Sequence, residues 1–223
     1  MRIKVSLVAM AMLAVACDGG DVPESAEPTD EAVDQGEGDD VGGEPDDGLD
    51  GVDETTQGPW WEHSDDLDTA VAAAVDLLPA DGLDEYDPAA DGIDIEQGAE
   101  AVGIGDLYVE AAQAAMSTEG KPVDEADVMW TVSAYRAADA DDAAAIADTI
   151  AGFGLSLEGA EMRGSPDGTA MVIQPQSERT VVTLLVRHDD LVLEVIHADS
   201  VADDEQLVVE EVEEVGDSLT PAG

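Results

Sequence analysis

The stretch that most limits what this chain can fold into is TVVTLLVRHDDLVLEVIHAD, Thr180–Asp199. Two apolar, β-branched runs, Thr180–Arg187 and Leu191–His197, flank the polar break His188-Asp189-Asp190. Runs of this length and composition read as strands, and a connection this short can join only antiparallel neighbours. Two more candidate strands precede them, Leu155–Met162 and Thr169–Gln174, with Asp167-Gly168 as the turn between. Further upstream, DVMWTVSAYR (Asp127–Arg136) alternates, placing Val128, Trp130, Val132 and Ala134 on one side of a half-buried strand.

Helical signals bracket these strands. In SDDLDTAVAAAVDLLP, Leu67, Val71, Val75 and Leu78 form one apolar stripe; Ser64 is the expected N-cap and Pro79 the stop. Trp60 and Trp61 are expected to pack back on this helix. LYVEAAQAAM (Leu107–Met116) reads as a short alanine-rich helix, whereas the glycines at 103 and 105 leave the stretch before it unassigned. Asp139–Gly154 has acids in its first turn, Ala and Ile through the middle and Gly at the end, a third helix. A fourth closes the chain: over Asp203–Leu219, Val208, Val212, Val215 and Leu219 share a face. The expected class is therefore α+β, an antiparallel β-meander of about four to five strands with helices packed on one face.

Charge divides the chain. It carries 55 Asp and Glu against 7 Lys and Arg, a formal net charge of −48. Phosphate backbones need cations, so nucleic acid is excluded as a partner, and anionic lipid surfaces are repelled. Aromatic residues make up only 3% of the chain, too few for base-stacking or sugar-stacking platforms. The acid excess also suggests a salty habitat, since in about 1 M salt the Debye length falls to roughly 3 Å and self-repulsion is screened. Asp18–Gly58 holds Asp, Glu, Gly, Pro and Thr without periodicity or a basic residue. It is expected to be a disordered acidic tether, spanning more than the roughly 35 Å of a neutral flexible chain of its length.

The single cysteine, Cys17, lies where an apolar run meets this acidic segment. With one cysteine no internal disulfide can form. Arg2 and Lys4 precede Val5–Val15, an apolar stretch of a signal peptide's length and too short to span a bilayer. Ala14-Val15-Ala16 fits ordinary signal-peptidase cleavage, which would give a secreted product. Together with Cys17 the same residues resemble a bacterial lipobox, although Ala14 stands where that motif most often has Leu. The resemblance implies residues 1–16 as a signal peptide, and Cys17 as the site of lipid attachment carrying diacylglycerol and a further acyl group such as palmitate. It also implies an extracytoplasmic protein held at the cell membrane. Segment 17–59 is then anchor and linker, and 60–223 a small α+β domain. That domain is similar to those of small envelope lipoproteins of high-GC Gram-positive and related bacteria, through LLPA at Leu77–Ala80 and the strand-to-helix transition Ala134–Ala143. The likeness implies location more than activity.

Motifs for chemistry are sparse. No phosphate loop, Rossmann fingerprint or G-x-S-x-G elbow occurs. Ser117, Ser133, Ser156, Ser165 and Ser177 have no histidine close in sequence. His63, His188 and His197 read as surface histidines that do not converge, so no metal site is expected. The loop Asp46–Gln57 resembles an EF-hand loop but has Gly48 and Gln57 where oxygen ligands belong. The near-repeat Ala80–Asp84 and Ala90–Asp94, inside the acidic stretch Asp81–Glu96, supports weak, nonspecific cation binding only. The expected function is a lipid-anchored lipoprotein whose domain, not an enzyme and without cofactor, binds an envelope protein or a small ligand. The alternatives are an extracytoplasmic hydrolase with an unrecognised site, and a structural or cation-buffering acidic surface protein.

Overall fold

A computed structural model describes residues 59–88, 95–122, 125–164, 168–176, 179–202 and 204–220. The stretches expected to be a signal peptide and an acidic tether, with Cys17 and the loop at 46–57, lie outside the described residues, as do Ser165 and Ser177.

Seven strands, more than the four to five expected, form one antiparallel sheet among the described residues: β1 (Asp84–Tyr86), β2 (Tyr108–Ser117), β3 (Val128–Ala137), β4 (Glu161–Gly164), β5 (Thr169–Pro175), β6 (Thr180–His188) and β7 (Leu191–Asp199). Their order is β1-β2-β3-β7-β6-β5-β4. The hairpin read from Thr180–Asp199 forms as expected, with His188 paired to Leu191 and the turn made by Asp189, φ 52°, and Asp190. Asp is one of the few residues other than Gly that accept this left-handed conformation. The sheet is two meanders, β1–β3 and β4–β7, joined where β3 pairs with β7.

The helices are α1 (Leu67–Val75), α2 (Ile95–Val102), α3 (Ala140–Leu155) and α4 (Glu205–Leu219). They cover both faces of the sheet rather than one. On the first face α1 and α4 bury Leu67, Val71, Val208, Val212, Val215 and Leu219 against Trp130, Val132, Leu193 and Val195. On the second, α2 and α3 bury Ala99, Ile146, Ala147 and Ile150 against Tyr135, Val172, Leu185 and Val192. Topology forces this result. Helix α3 must carry the chain from central β3 to the edge strand β4, and it crosses the face opposite α1 and α4. A sheet covered twice has central strands buried on both sides. β3 is therefore not half-buried: Thr131, Ser133 and Tyr135 are as enclosed as Trp130 and Val132.

Leu107–Met116 is strand β2, not a helix. A ten-residue alanine-rich helix alone is marginal in water, whereas here the ladder pairs the segment with β1 and β3 together. Its alanines leave room for a helix on either side: Ala112 and Ala114 join the first core, and Ala111 the second. The unassigned stretch before it ends α2 at Gly103, whose φ of 95° suits only glycine, and seats Ile104 in the core. Leu155 closes α3 instead of opening a strand, and the edge strand that follows is confined to Glu161–Gly164.

Capping settles where the helices begin. Asp66, not Ser64, is the N-cap of α1; its carboxylate accepts from the Thr69 backbone N–H at 3.3 Å and from the Thr69 hydroxyl at 3.0 Å. Ser64 instead ends a 3-10 turn, Trp60–His63, and its carbonyl accepts from Arg136. Asp139 caps α3 through the N–H groups of Asp141 and Asp142. As expected, Trp60 and Trp61 turn back onto the domain. Trp60 is fully buried beside α1, and its indole N–H donates to the Leu219 carbonyl at 2.8 Å, tying the start of the described fold to its last helix. No helix among the described residues is long and apolar enough to cross a membrane.

Candidate functional site

Strand β7 carries two buried ionisable groups three residues apart, Glu194 and His197. Strand alternation sends them to opposite faces, and the environments differ accordingly.

His197 faces α4. It is 0% exposed, so it is not the surface histidine the sequence suggests. Its ring stacks on Trp130, with centroids 3.9 Å apart and planes 15° from parallel. Nδ1 lies 3.2 Å from the Met129 carbonyl, which can only accept, so Nδ1 is the protonated nitrogen. Nε2 is left bare, 3.2 Å from Glu211 Oε2 on α4 and without a hydrogen bond. Burial pushes the imidazole down to about 4, against an upward pull from the Met129 carbonyl and Asp199. Glu211 is pushed up, by burial first and then by Asp199 and Glu214. The histidine is thus neutral and packed as an aromatic core residue.

Glu194 faces α2 and α3 and is 8% exposed. Register places it opposite Ser133 on β3 and Leu185 on β6. The Tyr135 hydroxyl donates to Oε2 at 3.2 Å, and Ser133 accepts from the Gln113 amide at 3.0 Å. Burial raises the Glu194 carboxyl to about 7, only partly countered by the tyrosine's hydrogen bond. Burial and the neighbouring carboxylate push the Tyr135 phenol well up, so it stays a donor.

Beside this pair lies a partly enclosed cavity of about 40 Å³. Its floor is Glu194, Tyr135, Thr183 and Gln174; its walls include Val102 from α2, Ile104 from the connection that follows it, and Ile150 and Phe153 from α3. One water needs about 10–15 Å³ of such space, so the cavity has room for a few small atoms. Gly154 lets α3 come this close: a Cβ there would lie 2.8 Å from Gln174 Nε2 and 3.0 Å from Val172 Cγ1. A second, wider groove of about 690 Å³ runs between α4 and strands β4 and β5, open to solvent, and is crossed by the exposed Arg163–Glu213 ion pair.

The other residues singled out in the sequence do not assemble into a centre. Trp61 stacks on His188 at 5.8 Å, 26° from parallel, and His63 is half-buried in the 3-10 turn. No cluster of His, Cys, Asp and Glu among the described residues could hold a metal ion. Ser117 donates to the Lys121 carbonyl and Ser156 to the Phe153 carbonyl, and no serine–histidine pair occurs among the described residues. The loop Asp81–Glu96 is described only in part; Asp84–Tyr86 becomes β1, and residues 89–94 lie outside. Sequence reasoning passed over Glu194 and Tyr135. The signal was there in LVLEVIHAD, where one acid interrupts an otherwise apolar strand.

No family model and no curated protein matches the chain. Among solved structures it is similar to the extracellular domain of PknH from Mycobacterium tuberculosis, at 17% identity over 53% of this chain and 70% of that one, with a TM-score of 0.37. A likeness this slight carries neither fold nor function.

Proposed function

We propose that this protein is a lipid-anchored extracytoplasmic lipoprotein whose folded domain is a non-catalytic receptor for a small ligand. One observation carries the receptor reading: a partly open cavity with apolar walls and a polar floor, in which a carboxyl and a phenol converge. Few convergent polar groups in an apolar recess are what small-molecule sites present. The anchor rests on the sequence. Cys17 follows an apolar run of signal-peptide length, and the residues after it are the acidic segment that would hold the domain away from lipid. Two or three acyl chains anchor stably, at about 0.8 kcal/mol per buried methylene.

Intact mass of the membrane fraction tests the anchor. The expected mass is the chain from Cys17 plus two or three acyl chains, and Cys17→Ser is expected to leave the membrane. A Cys17→Ser protein that stays membrane-bound would overturn it.

A second reading, an extracytoplasmic hydrolase, is favoured by Glu194 alone, a buried carboxyl held at about 7 and so suited to proton transfer near neutrality. Against it, Tyr135 donates into that carboxyl, and no nucleophile–base pair accompanies it among the described residues. Hydrolysis of a model ester or glycoside by the purified chain, lost in Glu194→Gln, would replace the receptor reading.

A further inference from the structure

The geometry points to a primary ammonium group on a short aliphatic chain as the ligand of the α2–α3 cavity, seated against Glu194 and flanked by Tyr135 and Phe153; this rests on the receptor reading above.

The donor and acceptor inventory comes first. An ionised carboxylate offers about four acceptor positions. Glu194 has the Tyr135 hydroxyl on one oxygen, and no Lys, Arg or His is among the described residues that line the cavity. A buried carboxylate without a cation is costly, and a ligand that brings one relieves that cost. The raised carboxyl agrees, because burial with no counter-charge at hand disfavours its anion, and an ammonium would supply that charge. Tyr135 donates into Glu194, so the pair is set to act through the carboxylate's remaining acceptor positions. Thr183 and Gln174 can each accept a further ammonium hydrogen from the cavity floor.

Size and field narrow the class. An ammonium is close to water in size, and about 40 Å³ admits it with a methylene or two. A trimethylammonium head has no N–H to donate to Glu194. Val102, Ile150 and Phe153 would meet the aliphatic stem, and an aromatic ring beside a cation attracts it through the negative face of the ring. Anions are opposed by the carboxylate and by the excess of 55 acids over 7 bases. Such a group can come from a free amine or from a lysine side chain of another protein.

The test is calorimetric titration of the full-length chain in high salt, which screens cations gathered by surface acids. The probes are n-propylamine, propan-1-ol, propanoate and Nα-acetyl-lysine methylamide. Saturable one-to-one binding of the amine is expected, about tenfold or more tighter than the alcohol and weakened about tenfold or more in Glu194→Gln. Affinity should rise as pH passes upward through 7, since Tyr135 is the only other ionisable group in the described lining and stays neutral there. Val102→Trp, at the half-buried rim, should block entry while leaving Glu194 intact, and it decides the matter if Glu194→Gln does not fold. Tighter binding of the lysine derivative names a protein lysine as the source, and tighter binding of propylamine names a free amine. If the alcohol or propanoate binds as well as the amine, and Val102→Trp abolishes it, the ammonium assignment fails while the receptor reading survives. If no probe binds, both fall. Amine binding unchanged in both variants also overturns the assignment.

Discussion

The two faces of β7 bury an ionisable group each, and they do so in opposite ways. On the α1–α4 face, His197 is sealed under Trp130 and the last helix, and burial strips it of charge. On the α2–α3 face, Glu194 is buried too but borders a partly open cavity with a tyrosine hydroxyl at hand. Burial alone therefore does not mark a functional group. His197 gives up its charge to become part of an aromatic stack, whereas Glu194 keeps a cavity into which a partner can come.

The largest test of that contrast is steric. Trp130→Ala should cost about 3–5 kcal/mol, as expected for emptying a closed core site, whereas Phe153→Ala, half-buried at the cavity wall, should cost less than half as much. Chemical denaturation followed by circular dichroism measures both. A reversed order would mean that the first face is not the sealed one.

Next comes pH, where the two groups oppose each other. His197 has its folded value lowered from 6.5 to about 4. Below 6.5 the unfolded chain takes up a proton that the folded chain refuses, so this contribution is whole above 6.5 and lost as pH falls towards 4. Glu194 is raised from 4.5 to about 7. Between those values the folded chain holds a proton that the unfolded chain has released, so this contribution is whole below 4.5 and lost as pH rises towards 7. Each spans about 3 kcal/mol. Stability of His197→Gln should consequently fall more steeply with rising pH between 4.5 and 6.5 than that of Glu194→Gln. Glu211, also raised, is present in both variants; it touches His197 only, so Glu211→Gln is combined with each variant to remove its share. Parallel profiles would show that the two groups do not differ.

A smaller effect belongs to the approach of α3. Gly154→Ala should cost about 1 kcal/mol net, the crowding of Val172 and Gln174 outweighing the helical gain of alanine, and it should weaken ligand binding by narrowing the cavity. A stabilised variant would mean that the helix has slack there. Smallest of all, Arg163→Ala removes an ion pair exposed by 44% and 49% and should change stability by less than about 0.5 kcal/mol. A larger loss would make the groove beside α4 a second structured site.

How much of this was legible depends on how local the cause is. The helix at Asp139–Gly154 with acids in its first turn, the buried stripe Val208, Val212, Val215 and Leu219, and the Thr180–Asp199 hairpin all follow from neighbours in sequence, and the structure has them. The alanines of β2 misled because alanine's preference for helix is worth only tenths of a kcal/mol per residue, less than two ladders of backbone hydrogen bonds. His197 misled because it ends an apolar run, where a turn is expected; instead the strand continues through Asp199. The pairing of Tyr135 with Glu194 spans 59 residues and has no local signature.

The sequence alone determined the antiparallel character of the second half and the positions of its helices, because turn chemistry and periodicity act over short range. Only the tertiary structure decided that helices cover both faces, that the histidine is core and that the glutamate borders a cavity. Those outcomes hang on β3 being inserted beside β7, a contact between distant segments. What a side chain meets across a sheet is set by strand order rather than by its neighbours along the chain.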